Sequence, residues 1–171
     1  MTEPDTQQKA GIATVLIGTA GSSYEHWEGV VYPSPAPPRF DRLAYMSQFF
    51  DVLEINNTFY RPPSPKNCES WVRRTSYNKR FMFTVKLHQK FTHEREGITP
   101  EDEVVFKRGI EPIDDAGRLG CILMQFPWSF KYLPSSRRTS NDRRATGPNV
   151  CTVNERQETL VNSTHLANPD Y

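Results

Sequence analysis

Long apolar runs, charge of one dominant sign and paired cysteines are all missing from this sequence. No stretch of about 18 apolar residues occurs, so nothing in it reads as a membrane span. No basic segment followed by an apolar one opens the chain, so no signal peptide is expected. The formal net charge is only +1, which leaves no electrostatic footprint for nucleic acid and no acidic tail. The three cysteines, Cys68, Cys121 and Cys151, are odd in number and widely spaced, with no C-x-x-C. Neither a disulfide framework nor a zinc site is therefore expected. His26, His88, His93 and His165 have no metal spacing, and the HERE at His93 is not H-E-x-x-H. A cytoplasmic protein follows as the expectation, and the sequons at Asn56 and Asn162 are then chance matches. The 171 residues suit one domain, yet hydrophobic residues make up only 36% and mean hydropathy is -0.66. Part of the chain is expected to stay outside the core.

What is present is an alternation of apolar runs and helical patterns. Residues 1–13 read as a loose, disordered N-terminus. TVLIGTA from Thr14 reads as a first strand, stopped by Gly21-Ser22-Ser23. The aromatic, proline-rich stretch after it reads as a long ordered loop. RFDRLAYMSQFFD spaces Phe40, Leu43, Met46 and Phe50 as a helix does. VLEIN is a second strand, and Ser64-Pro65 opens a second helix with Trp71 and Val72 on its buried face. RFMFTVKL is a third strand, residues 100–117 carry a helical pattern broken by Gly109 and Pro112, and LGCILMQF is a fourth strand. Strands of near-continuous apolar character alternating with helices predict an α/β protein with a parallel sheet and right-handed crossovers.

After about Leu133 the composition changes, with a single aromatic, Tyr171, and no convincing period of either kind. ETLVN could form a helical turn. The pairs Arg137-Arg138 and Arg143-Arg144 read as a solvated tail rather than a nucleic-acid or membrane arm. Asp142, Glu155, Glu158 and Asp170 offset them, and no aromatic stacks between the arginines.

Strand parity locates the chemistry. Side chains alternate along a strand, so Val52, Glu54 and Asn56 share one face, as do Met82, Thr84 and Lys86, and Cys121, Leu123 and Gln125. Each of these faces turns polar toward its C-terminal end, the end where parallel α/β sheets bind ligands. A buried charge is costly unless paired, so Glu54 and Lys86 are expected to pair with each other or with a ligand. The competing structural reading is a satisfied internal network of Glu54, Lys86 and Gln125 that only plugs the sheet end. Tyr24, Trp27, Tyr32, Phe59 and Tyr60 fall in two loops at this end and are expected both to wall a pocket and to pack the loops down. GTAGSS at Gly18 lacks both the G-x-G-x-x-G spacing and a P-loop lysine, which argues against dinucleotide or triphosphate binding. No cofactor can be named from these residues.

IGTAGSSYEHWEGVVYP, FFDVLEINNTFYRPPSP, FMFTVKL, THE and LMQFPWSF, in that order, resemble the YecE-like family, also called domain of unknown function 72. The resemblance covers roughly residues 15–132 and implies a TIM-type (β/α) barrel. It implies a mouth formed by Gly18, Thr19, Gly21, Tyr24, Glu54, Asn56, Thr58, Phe59, Tyr60, Lys86, His93 and Gln125. It supplies no reaction. An aromatic is usual after the second glycine; Ser22 stands there, which thins one wall. The family chain continues with further βα units where this one turns foreign, and a closed barrel needs about 200 residues. The expectation is therefore the N-terminal half of such a barrel over residues 14–132. About four parallel strands would be followed by a disordered or frame-shifted tail at 133–171, with self-association possible through the open half-barrel. The parent fold is expected to be a small-molecule enzyme with Glu54 and Lys86 catalytic. Thr19, Tyr24, Asn56, Tyr60, His93 and Gln125 would bind the small-molecule ligand. The alternatives are a non-catalytic binding module and an inactive fragment.

Overall fold

The structure is a computed structural model that describes residues 15–94 and 97–131, and the backbone of residues 150–154 and 157–161. Residues 1–13 and the arginine pairs after Leu133 lie outside the described residues. Strand β1 (Gly18–Ala20) is followed by helix α1 (Arg42–Met46), β2 (Val52–Ile55), α2 (Pro65–Arg74), β3 (Met82–Lys86), α3 (Pro100–Asp115) and β4 (Leu119–Phe126). Two more strands, β5 (Val150–Asn154) and β6 (Gln157–Val161), come from the segment read as a tail. The expected four parallel strands with helices are present. The sheet order is β1-β2-β3-β4-β5-β6, parallel as far as β5, with β6 antiparallel to β5. The stretch at Glu158 is thus strand and not a helical turn.

The helices cover one face of the sheet. Leu53 and Ile55 of β2 and Phe83 and Val85 of β3 are buried there with Leu43, Cys68, Phe106, Ile110 and Ile113. Phe81 and Phe83 meet edge to face at 5.3 Å, a favoured aromatic geometry. The alternate residues Val52, Glu54, Met82, Thr84 and Lys86 are half-buried on the opposite face. The alternation read from the sequence is therefore the alternation of the sheet.

Three local expectations change. The first strand is short: among the described residues Gly18–Ala20 pairs only with β2, and Val15 and Ile17 are 77% and 65% exposed. As an edge segment it lacks a second neighbour to extend the ladder, although Ile17 and Asp51 still exchange backbone bonds through Asp51 N–H and the Asp51 carboxylate. Helix α1 is only five residues, started by the Asp41 carboxylate accepting from Ala44 N–H and ended at Ser47. Helix α3 runs unbroken through both Gly109 and Pro112. Gly109 is where the helix backbone meets the Pro63 carbonyl: a β-carbon there would lie 2.3 Å from that oxygen. A Thr99–Asp102 capping box starts α3, each side chain accepting from the other's backbone N–H, and Pro100 occupies its first turn. Burial of Phe106, Ile110 and Ile113 along one side then outweighs the local cost of glycine and proline.

At the opposite end of the strands from the polar residues, Arg118 is buried. Its guanidinium donates to the Asn78 and Phe81 carbonyls at 2.7 and 2.8 Å. Two charge-assisted bonds there tie the turn before β3 to the start of β4.

Candidate functional site

The register of the parallel strands sets which side chains stand side by side. Ala20, Glu54, Thr84 and Cys121 form one row across β1 to β4, and the Cys121 thiol lies 3.6 Å from the Thr84 hydroxyl. One step further toward the C-terminal ends, Lys86 is level with Leu123, and Gln125 follows two residues later on β4. Glu54, Lys86 and Gln125 thus share one face and one end of the sheet. Thr19 does not join them. It is level with Leu53, which is level with Phe83, so it belongs to the helix-covered side, and its hydroxyl donates to the Gly21 carbonyl at 2.8 Å. Thr19 was placed in the mouth by the family resemblance, not by strand parity, and only the register with β2 fixes its face.

Glu54 and Lys86 act on one another through charge. Burial pushes the Glu54 carboxyl above its ordinary value, and the Lys86 ammonium pulls it only partly back. The Lys86 ammonium itself sits over the ring of Phe59, 4.7 Å from the centroid, a cation–π contact. Phe59 also meets His93 and Tyr60 edge to face, at 4.9 and 5.0 Å between centroids. Three residues from three segments are thereby gathered around one aromatic ring. The tight turn Asn57–Phe59 that carries it is held by Thr58, whose buried hydroxyl lies 2.6 Å from the Lys86 carbonyl and 2.9 Å from that of Ile55. His93 is anchored through Nδ1, 2.9 Å from the Thr92 hydroxyl.

Tyr24 and Asn56 fall elsewhere. With Glu54 they line a cavity of about 380 Å³ beneath the loop Gly21–Tyr24. Its lining also takes in Leu43, Leu53, Ile55, Trp71 and Phe83 of the helix-side core, so this cavity draws on residues from both faces of β2. Tyr24 donates its hydroxyl to the Ala20 carbonyl and stacks on Trp27, which contacts Tyr32; Tyr32 in turn donates to the Ser22 carbonyl at 2.7 Å. In this first loop the aromatics chiefly pack the loop down, whereas Phe59 organises polar groups. Asn56 accepts the Phe59 N–H through its carbonyl. The site thus contains Lys86, His93 and Tyr60 around Phe59, with Glu54, coupled to Lys86 by charge, lining the neighbouring cavity together with Asn56 and Tyr24.

Two features were not singled out from the sequence. Phe59 was named among the loop aromatics and in the mouth implied by the resemblance, without its contact to Lys86, which its place on the turn past Asn56-Asn57 provides. The bidentate pair between Arg74 and Asp41, at 2.5 and 2.6 Å, joins α2 to α1 and carries no local sequence signal, since the two residues are 33 apart. That pair holds the Asp41 carboxyl below its ordinary value. No group of three or more potential metal ligands occurs among the described residues.

Consecutive parallel strands separated by helices, with polar groups at their C-terminal ends, define an α/β protein of the kind that places ligands at that end. The chain matches the family model for the protein of unknown function DUF72 over residues 16–163, and it belongs to that family. It is 30% identical over 102 residues to the UPF0759 protein YunF of Bacillus subtilis, covering 57% of this chain and 35% of YunF. A DUF72 family protein from Thermotoga maritima superposes with a TM-score of 0.68 at 35% identity, over 83% of this chain and 56% of its own. A DUF72 family protein from Enterococcus faecalis shares the fold with a TM-score of 0.52 at 16% identity, over 58% of this chain and 41% of its own. The chain therefore spans between about a third and just over half of the length of these relatives.

Proposed function

We propose that the chain carries the polar half of a small-molecule enzyme's site, built on the first strands of a TIM-type barrel. Glu54 exchanges a proton with substrate, and Lys86 either shares that acid–base work or orients an anionic group. The observation that carries this reading is the placement of a carboxyl with a raised pKa on the same sheet face as an ammonium that partly offsets it, at the C-terminal strand ends. A carboxyl raised by burial beside an ammonium is the kind of perturbed group that marks a candidate acid–base site. His93 and Tyr60, arranged on Phe59, supply further hydrogen-bonding groups at the rim, with Asn56 and Gln125 as outer contacts. A cytoplasmic setting is consistent with the buried Cys68, which forms no disulfide. Among the described residues no helix is long and apolar enough to cross a membrane. The half-buried Val52 and Met82 on the site's face, with exposed Val15 and Ile17 at the β1 edge, support self-association.

The test is a metabolite screen by ligand-induced stabilisation, followed by a chromatographic assay for turnover of each hit. Glu54→Gln should keep the stabilisation and lose turnover, while Lys86→Met should weaken both. Turnover retained by Glu54→Gln removes Glu54 from the chemistry. Hits that bind and are never turned over by the wild type establish a binding module in its place.

A further inference from the structure

A second concavity of about 400 Å³ adjoins the first, sharing Ser22, Ser23, Leu43 and Arg74 with it. Three arginines, Arg39, Arg42 and Arg74, stand in its wall against one acid, Asp41. Two of the three are partly neutralised. Arg74 is clamped to Asp41, and Arg42 is bonded to Glu28 while lying over the Tyr32 ring. Arg39 is exposed and takes no side-chain partner among the described residues, and its backbone is held in the left-handed region at φ 62°. Across the gap, the loop turns at Gly21, whose N–H bonds the Glu54 carbonyl. The next two residues, Ser22 and Ser23, present backbone N–H groups and hydroxyls that donate to no group among the described residues. Guanidinium groups facing unspent N–H and O–H donors are the chemistry that recognises a phosphate.

The adjoining cavity offers the complement. Its floor of Leu53, Ile55, Trp71 and Phe83 is apolar and aromatic, with Asn56 and Asn57 at the rim. We infer that the two concavities form one groove for a phosphorylated small molecule with an apolar or aromatic body. The phosphate lies between Arg39 and the Ser22–Ser23 loop, and the body rests over Leu53 and Trp71. A volume near 400 Å³ in each part is within the ordinary range for small-molecule sites. The groove shares Glu54 and Asn56 with the site proposed above but uses neither Lys86 nor His93, and its phosphate end at Arg39 is read by binding alone, so it stands or falls separately from turnover.

Isothermal titration calorimetry on the full chain tests it, with phenyl phosphate, inorganic phosphate and phenol as probes. Phenyl phosphate should bind more tightly than inorganic phosphate, and phenol should give no measurable heat. Arg39→Gln should weaken both phosphate probes about tenfold, the usual worth of one charge-assisted bond, with an unchanged circular dichroism spectrum. Lys107→Gln, a basic residue on the exposed side of α3, should leave both affinities unaltered. Three results overturn the inference: no heat from either phosphate probe, an equal loss in Lys107→Gln, or phenyl phosphate binding no better than inorganic phosphate.

Discussion

The two faces of the same sheet are built from neighbouring residues and behave as different materials. Phe83, fully buried, and Met82, half-buried, are adjacent in β3, yet one locks the helices to the sheet and the other borders a polar surface. The helix-covered face carries only apolar side chains from β2 and β3, in contact with α2 and α3. The opposite face carries Glu54, Thr84 and Lys86, groups that a face kept only for stability would not select. The contrast teaches that stability and chemistry in this chain are separated by a single residue step, not by distance along the chain.

Substitutions on the two faces measure that separation. Phe83→Ala should cost about 3–5 kcal/mol in urea denaturation, the usual penalty for emptying a core aromatic site. Met82→Ala should cost well under half as much; equal costs for the two neighbours would break the comparison. Gly109→Ala comes next. Alanine's better helix propensity favours it, but the clash with the Pro63 carbonyl outweighs that gain, so a loss of about 1–3 kcal/mol is expected. A stabilised Gly109→Ala variant would show that α3 can slide away from the loop ahead of α2.

Glu54 supplies a smaller effect of opposite sign. A carboxyl whose pKa is raised by folding contributes stability below the ordinary carboxylate range and loses it as pH rises through the raised value. Glu54→Gln removes that loss. The variant should therefore melt higher than the wild type at neutral pH, and the difference should vanish in acid, as thermal denaturation across a pH series will show. A destabilised variant at neutral pH would mean that Lys86 attraction prevails over burial. The smallest effect belongs to the outer surface of α3. Glu103→Gln breaks an exposed pair with Lys107 four residues on and should move stability by less than about 0.5 kcal/mol.

Much of this contrast was legible in the sequence. The apolar runs of β2, β3 and β4 and their alternation place Glu54 and Lys86 correctly on one face, because a period of two needs no tertiary information. Thr19 was misplaced, because the register of a three-residue edge strand depends on its partner. The continuity of α3 was hidden for a related reason: Gly109 looks like a breaker until Pro63, 46 residues earlier, is seen to need its missing side chain. The groove at Arg39 was illegible because Ser22–Ser23, Arg39–Leu43 and Arg74, which line it, come together only in the fold. Strands β5 and β6 lie where aromatic and apolar signals are sparse, yet the family match reaches residue 163, past both of them.

Thr58 has one proton for two carbonyls, those of Ile55 and Lys86. Its hydroxyl is a rotor with two stops, one on each strand, and whichever oxygen it leaves must be satisfied by something else. The turn carrying Phe59 is therefore tied to two strands through one buried oxygen, and the ring keeps its place against Lys86 only as long as that tie holds.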